Sequence, residues 1–101
     1  MLETELAKLV AGLKKLGAEK IVLFGSLAKG EPRVHSDIDL IAIFDDQDHF
    51  KTRMQRVYSE LSAQVNFDVL AYNWREFEKV KARSFFRRIE KEGKVLYEAE
   101  R

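Results

Sequence analysis

Two aspartates, Asp37 and Asp39, stand two residues apart at the start of the run DIDLIAIF, which is apolar over its second half. Because side chains alternate across a β-strand, both carboxylates are expected on one face near the start of a strand. Two like charges placed this close cost free energy unless a cation lies between them, and a hard divalent ion such as Mg²⁺ is the usual partner of carboxylate oxygens. The pair therefore predicts a divalent-metal site. The competing interpretation is a polar strand start without a ligand.

A third aspartate, Asp68, lies in the otherwise apolar run VNFDVLA. An unpaired carboxylate would be expensive to bury in such a strand, so Asp68 needs a partner. If the strands that carry Asp39 and Asp68 are neighbours, three carboxylates can hold two metal ions, which suits in-line displacement at a phosphorus atom. The alternative is an Asp68 that is exposed or salt-bridged.

A phosphate-binding turn is predicted at Gly25 and Ser26, directly after the apolar run 21–24. Glycine lets the backbone approach an anion, and the free N–H groups at the start of a helix point toward it. Ser26 adds a hydroxyl donor and Lys29 adds a positive charge. The plainer interpretation is a strand-to-helix turn without a ligand.

Two other motifs fail on their flanking residues. An EF-hand calcium loop starting at Asp37 would need an acid or amide and then a glycine where Ile41 and Ala42 stand. A P-loop would need lysine and then serine or threonine where Glu31 and Pro32 stand. A calcium loop and a Walker-type NTPase are therefore excluded, and a D-x-D glycosyltransferase is disfavoured by the short chain.

The elements that must position these residues alternate between helices and strands. Apolar and β-branched runs predict strands at 21–24, 37–44 and 65–71. Helical spacing of apolar residues predicts helices at 2–16, stopped by Gly17, at 50–61, with Asp48 as N-cap, and from residue 74 to near Gly93. The predicted class is α/β with a small mixed β-sheet flanked by helices, and residues 1–101 are predicted to form a single domain.

Composition limits the classes of function. The chain has 101 residues, of which 46% are hydrophobic and 35% charged, and it has no cysteine, so disulfides and thiolate chemistry are excluded. No leader or membrane span is expected, and a cytoplasmic location is predicted. The formal net charge is +1, but six acids and one arginine lie between residues 31 and 50, whereas eight bases and four acids lie between residues 75 and 94. An acidic centre suits a cation site.

The order of these motifs resembles the minimal nucleotidyltransferases of the polymerase-β superfamily. The resemblance is carried by the runs Gly25-Ser26-x-x-x-Gly30 and Ser36-Asp37-Ile38-Asp39-Leu40, by Asp68, and by the closing run EGKVLYE. It implies a polymerase-β-like palm core in which Gly25 and Ser26 hold a nucleoside triphosphate, with Lys29 nearby. It also implies that Asp37 and Asp39 ligate two Mg²⁺ ions and that Asp68, a further ligand, helps to deprotonate the attacking hydroxyl.

The resemblance also implies a function: transfer of a nucleoside monophosphate, AMP in the first instance, from ATP or another NTP to a hydroxyl. Members of this family commonly pair with a HEPN-family ribonuclease toxin and silence it by adenylylating a tyrosine, as type VII antitoxins. One alternative is a non-catalytic antitoxin that masks its partner through the basic residues Arg83, Arg87, Arg88 and Lys91. Another is transfer to a small molecule or an RNA end. Direct DNA binding and membrane binding are not expected.

Overall fold

The computed structural model describes residues 2–25, 28 and 37–100. The helices and strands in these ranges are α1 Leu2–Lys15, β1 Ala18–Phe24, β2 Ile38–Phe44, α2 Phe50–Glu60, β3 Phe67–Asn73, α3 Trp74–Val80, α4 Ser84–Glu92 and β4 Lys94–Glu98. β1 begins earlier than predicted, and β3 lies two residues further along the chain. The segment predicted to be helical from residue 74 onward divides into α3 and α4, although neither glycine nor proline marks the break.

The strands form a mixed four-stranded sheet in the order β3-β2-β1-β4. β1 runs antiparallel to both β2 and β4, whereas β2 and β3 are parallel. A parallel pair requires a crossover connection, which α2 supplies between β2 and β3. The arrangement confirms the predicted α/β class with a mixed sheet. It also confirms that the strands carrying Asp39 and Asp68 are neighbours.

Helices cover both faces of the sheet. On one face α1 and α2 pack against alternate residues of β2, in a cluster that contains the fully buried Leu9 and Leu40. On the other face Phe86 of α4 packs in a second cluster with Ile41. Because β2 is covered on both sides, its second half has no solvent-facing position, which explains its continuous apolar run. No helix in the described ranges is both long and apolar enough to cross a bilayer.

The side chains of α2 also cover the outer edge of β3. The Tyr58 hydroxyl accepts the backbone N–H of Val69 at 2.7 Å. The N–H of Ala71 points at the sulfur of Met54 at 3.3 Å, and Arg53 donates to the Ala71 carbonyl at 3.0 Å. Open backbone groups at a strand edge invite pairing with another chain. Here α2 satisfies them from within the fold.

Local signals set the end of α1 and the start of α3. Gly17, with φ of +106°, ends α1 as predicted. α3 begins at a capping box in which the Asn73 side chain accepts the N–H of Glu76 and the Glu76 carboxylate accepts the N–H of Asn73. The predicted N-cap of α2 was wrong, because the cap position is His49 and the Asp48 carboxylate instead forms an ion pair with an arginine of α2.

Candidate active site

The centre of the candidate site is a pair of aspartates on the parallel strands β2 and β3. Asp39 and Asp68 are directly opposite each other in the register of these strands. Opposed residues of neighbouring strands point to the same face of the sheet, and the strands lie about 4.8 Å apart. Asp39 is half-buried, and Asp68 is exposed to solvent. The fold thus brings together two carboxylates that stand 29 positions apart in the sequence (68 − 39).

The third predicted aspartate, Asp37, lies in a bend one residue before β2 and is half-buried. Its backbone N–H donates to the carbonyl oxygen of Asn66 at 3.0 Å, and the N–H of Ile38 donates to the same oxygen at 3.3 Å. Asn66 immediately precedes β3. These bonds fix the entry of β2 to the entry of β3, so that all three aspartates lie at the same end of the parallel pair.

Gly25 completes this end of the sheet from β1. Phe24, the last residue of β1, pairs with Asp39 in the antiparallel register. A Cβ atom added to Gly25 would overlap the carboxylate oxygen Oδ2 of Asp39 and lie 3.2 Å from its Cγ. Gly25 also has φ of +76°, a conformation that favours glycine. The glycine predicted for phosphate binding therefore lies directly against a predicted metal ligand.

The other two predicted phosphate-binding residues, Ser26 and Lys29, lie outside the described residues. Of the three residues predicted to bind phosphate, Gly25 is the one within the described ranges, and it lies against Asp39. The predicted roles of all six site residues remain predictions.

Tyr58 lies close enough to the aspartates for their charges to act on its phenol. Burial raises the pKa of the Tyr58 hydroxyl; its hydrogen bonding with Val69 opposes this rise, and the negative charges of Asp68 and Asp39 add to it. The bond to Val69 anchors β3 one residue after Asp68. The contact of Tyr58 with β3 was not predicted, since a side-chain bond to a strand backbone leaves no mark in the sequence.

The carboxylate oxygens of this site suit a hard divalent cation that is also bound by the phosphates of a substrate. Among the described residues, no group of three or more His, Cys, Asp or Glu side chains is arranged to hold a metal ion by itself. Mg²⁺ is commonly bound through one or two carboxylates and completed by waters and substrate phosphates. Asp39 and Asp68 supply such a pair, with the glycine turn beside them. The chemistry of these donors therefore fits a metal that arrives with a nucleotide.

Comparison with known proteins identifies the family. Residues 7–101 match the family model described as polymerase beta, nucleotidyltransferase. The chain belongs to the polymerase-β nucleotidyltransferase family. Membership of this family supports nucleotidyl transfer, with a nucleoside triphosphate as the substrate and a divalent metal as the usual cofactor of the family.

One solved structure shows the same fold. It is the crystal structure at 1.40 Å of a provisionally named nucleotidyltransferase from Sulfolobus solfataricus, with 20% sequence identity and a TM-score of 0.62. The match covers 96% of this chain and 86% of that one. Among curated proteins, no sequence matches this nucleotidyltransferase-family chain.

Proposed function

We propose that the chain transfers AMP from ATP to a hydroxyl group in a reaction that depends on Mg²⁺. The observation that carries this proposal is the pairing of Asp39 with Asp68 at the strand ends where Gly25 lies against Asp39. Family membership supplies the class of reaction. The metal, the nucleotide and the acceptor are our inference.

In the proposed mechanism the three aspartates bind the metal ions, and one of them also accepts a proton. Asp37, Asp39 and Asp68 would hold two Mg²⁺ ions together with the triphosphate, and the ions would supply positive charge that offsets the triphosphate charge and lowers the pKa of the acceptor hydroxyl. Gly25 and Ser26 orient the triphosphate through backbone and hydroxyl donors, with Lys29 adding positive charge. Asp68, the most exposed of the three, accepts the hydroxyl proton. The acceptor oxygen bonds to the α-phosphorus as the bond to the β-phosphate oxygen breaks, and pyrophosphate leaves.

We further propose that the acceptor is a tyrosine of a HEPN-family toxin, which would make the chain a type VII antitoxin. A basic surface beside the site supports docking of a protein partner. It is a shallow depression on α4 lined by Ser84, Arg87, Arg88, Lys91 and Glu92. α4 reaches the site through Phe85, whose ring packs edge-on against Phe24 with centroids 5.8 Å apart. An acidic partner surface on α4 would thus lie next to the strand ends that carry the aspartates.

The test uses ATP labelled at either the α- or the γ-phosphate, with a purified HEPN-family protein as acceptor. We expect label in the acceptor from α-labelled ATP alone, only with Mg²⁺, and none with the Asp39→Asn variant. Label from γ-labelled ATP would indicate phosphoryl transfer and contradict the proposal.

Growth of cells that express the toxin distinguishes transfer from neutralisation by masking alone. If the chain neutralises its partner by binding alone, Asp39→Asn should still rescue growth of cells that express the toxin. If transfer is required, the variant should fail to rescue although it remains folded, while Arg87→Glu should impair rescue by weakening docking.

A further inference from the structure

Away from the candidate site, α1 and β4 border an open groove of about 410 Å³. Leu96 of β4 forms one wall, and the other wall consists of six residues of α1: Glu3, Leu6, Ala7, Val10, Ala11 and Lys14. The groove is mainly apolar along its length, with an acid at one end of α1 and a base at the other. Leu9 and Leu13 of α1 are buried in the core, and Leu6, Val10 and Leu96 are partly buried against the same cluster. The groove-facing stripe is therefore the partly exposed border of the face that holds α1 on the sheet, and it continues outward to the exposed Ala7 and Ala11.

The six groove residues of α1 are complementary to the same six residues of a second, antiparallel copy of the helix. If a second copy of α1 lies antiparallel, with a two-fold axis between the levels of residues 8 and 9, Glu3 faces Lys14 of the other copy. The same axis places Leu6 opposite Ala11 and Val10 opposite Ala7. Opposite charges then meet at both ends, and a large side chain meets a small one at each level between them. Such self-complementarity is what an isologous two-fold interface requires.

The side chains at the ends of the groove are available for this contact. Glu3 and Lys14 are exposed, and neither forms an ion pair within the described part of the chain. The Lys14 ammonium lies 4.5 Å from the centre of the Tyr97 ring, so the lysine is held at the groove end by β4. Ala7 and Ala11 are also exposed and leave room for larger side chains of a partner.

We propose that this groove, the α1 stripe with Leu96, is a self-association surface at which two copies of the chain pack their α1 helices antiparallel. Two reciprocal Glu3–Lys14 pairs set the orientation and register, and Leu6 and Val10 of each copy fill the space over Ala11 and Ala7 of the other. A 14-residue helix is about 21 Å long. An interface of that length belongs to the small class, so the dimer dissociates on dilution.

Charge reversal tests both the surface and its orientation by sedimentation equilibrium. Wild-type protein is expected to dimerise at about 0.1–1 mM. Glu3→Lys brings lysines together at both ends, and Lys14→Glu brings glutamates together, so each variant alone is expected to weaken the dimer about tenfold or more. In an equimolar mixture of the two variants, every contact joins a cation to an anion, and a mixed dimer should form.

The matched control is Lys15→Glu, which makes the same charge change about 100° around the helix from Lys14. It should dimerise like the wild type, and far-UV circular dichroism should show all three variants folded. The proposal is overturned by a wild type that stays monomeric at about 1 mM. It is equally overturned by folded single variants that dimerise normally or whose mixture stays monomeric, and a groove reserved for a different protein would give one of these results.

Discussion

Gly25 and Asp39 meet where β1 ends and β2 begins, and the lack of a side chain at Gly25 leaves the space that the Asp39 carboxylate occupies. Gly25→Ala is expected to displace this carboxylate and to abolish metal-dependent ATP binding. The variant also carries a backbone cost of about 1 kcal/mol, because φ of +76° is unfavourable for alanine. Calorimetric titration and urea denaturation measure the two effects separately.

Gly17→Ala is the control for the backbone cost. Gly17 also has positive φ, +106°, but a Cβ added there meets no atom within 4 Å. The two variants should lose similar stability, whereas only Gly25→Ala should lose ATP binding. Equal ATP binding by both would show that the contact with Asp39 is unimportant.

The residue types around the site could be predicted because they are chemically unusual where they stand. Two aspartates before an apolar run and one inside another indicate a cation site, and the parallel register places Asp39 opposite Asp68 as that interpretation required. Tyr58 could not be predicted, since its hydroxyl bonds to a backbone N–H eleven residues away in the sequence. A bond of that kind follows from how α2 lies on β3, not from any local pattern.

At the scale of elements, α2 holds β3 in place through the Tyr58 hydroxyl. Tyr58→Phe removes the partner of the Val69 N–H, so we expect a loss of about 1 kcal/mol in the free energy of unfolding. Because Val69 follows Asp68, the freed strand should also position the carboxylate less well and lower the rate of nucleotide transfer several-fold. Tyr97→Phe serves as the control, since it removes a tyrosine hydroxyl from β4, which lies at the opposite edge of the sheet from β3. Comparable rates for both variants would argue against a positioning role.

The predicted helices and strands had the right type of secondary structure, but their first and last residues were predicted less accurately. Apolar periodicity located α1, α2 and the first three strands, because burial on a sheet face imposes that periodicity. The fourth strand, β4, was not predicted. The break between α3 and α4 at residues 81–83 was missed, since it depends on how Phe77 and Phe86 pack against each other, with ring centroids 6.2 Å apart, and not on a helix-breaking residue.

At the scale of the whole molecule, Arg53 ties α2 to the end of β2, to β3 and to α3. It is fully buried, donates to the Asp46 carboxylate at 2.8 Å and to the Ala71 carbonyl at 3.0 Å, and pairs with Glu76. Arg53→Ala leaves two carboxylates without this partner, and we expect a loss of about 3–5 kcal/mol in denaturant-induced unfolding.

Arg56 provides the comparison for Arg53. It also contacts Asp46, at 3.1 Å, but its side chain is 36% exposed. Arg56→Ala should cost only about 0–1 kcal/mol. If both substitutions cost the same, burial of the Arg53 network would not be the source of its contribution.

The same network makes stability depend on pH. Partial burial acts to raise the pKa of Asp46, but the hydrogen bond and charge of Arg53 outweigh it, so the pKa lies below its ordinary value. Because the folded-state pKa of Asp46 is lowered, its ionised carboxylate stabilises the fold at pH values above the ordinary aspartate pKa. This contribution is lost as the pH falls through the lowered pKa of the folded state. Unfolding free energy should decline below about pH 4, and less steeply in Asp46→Asn. Urea titrations over this pH range measure the difference, and parallel profiles would contradict it.

The assignment of residues 1–101 to one domain remains a prediction. The family model spans residues 7–101, and the sheet with its two covering layers of helices extends over the described part of that range.

The long-range connection of α2 to α3 through Arg53 had no sequence signal, because a buried arginine at an apolar helix position looks like any exposed one.

We propose that the aspartates opposed on β2 and β3 form a metal-dependent nucleotide site. Its most direct test is calorimetric titration of ATP, with and without Mg²⁺, into the wild type, Asp39→Asn and the control Asp45→Asn, which alters an exposed aspartate just after β2. We predict Mg²⁺-dependent binding to the wild type and to Asp45→Asn, and loss of that binding in folded Asp39→Asn. Unchanged binding by Asp39→Asn, or wild-type binding that does not require Mg²⁺, would contradict the claim.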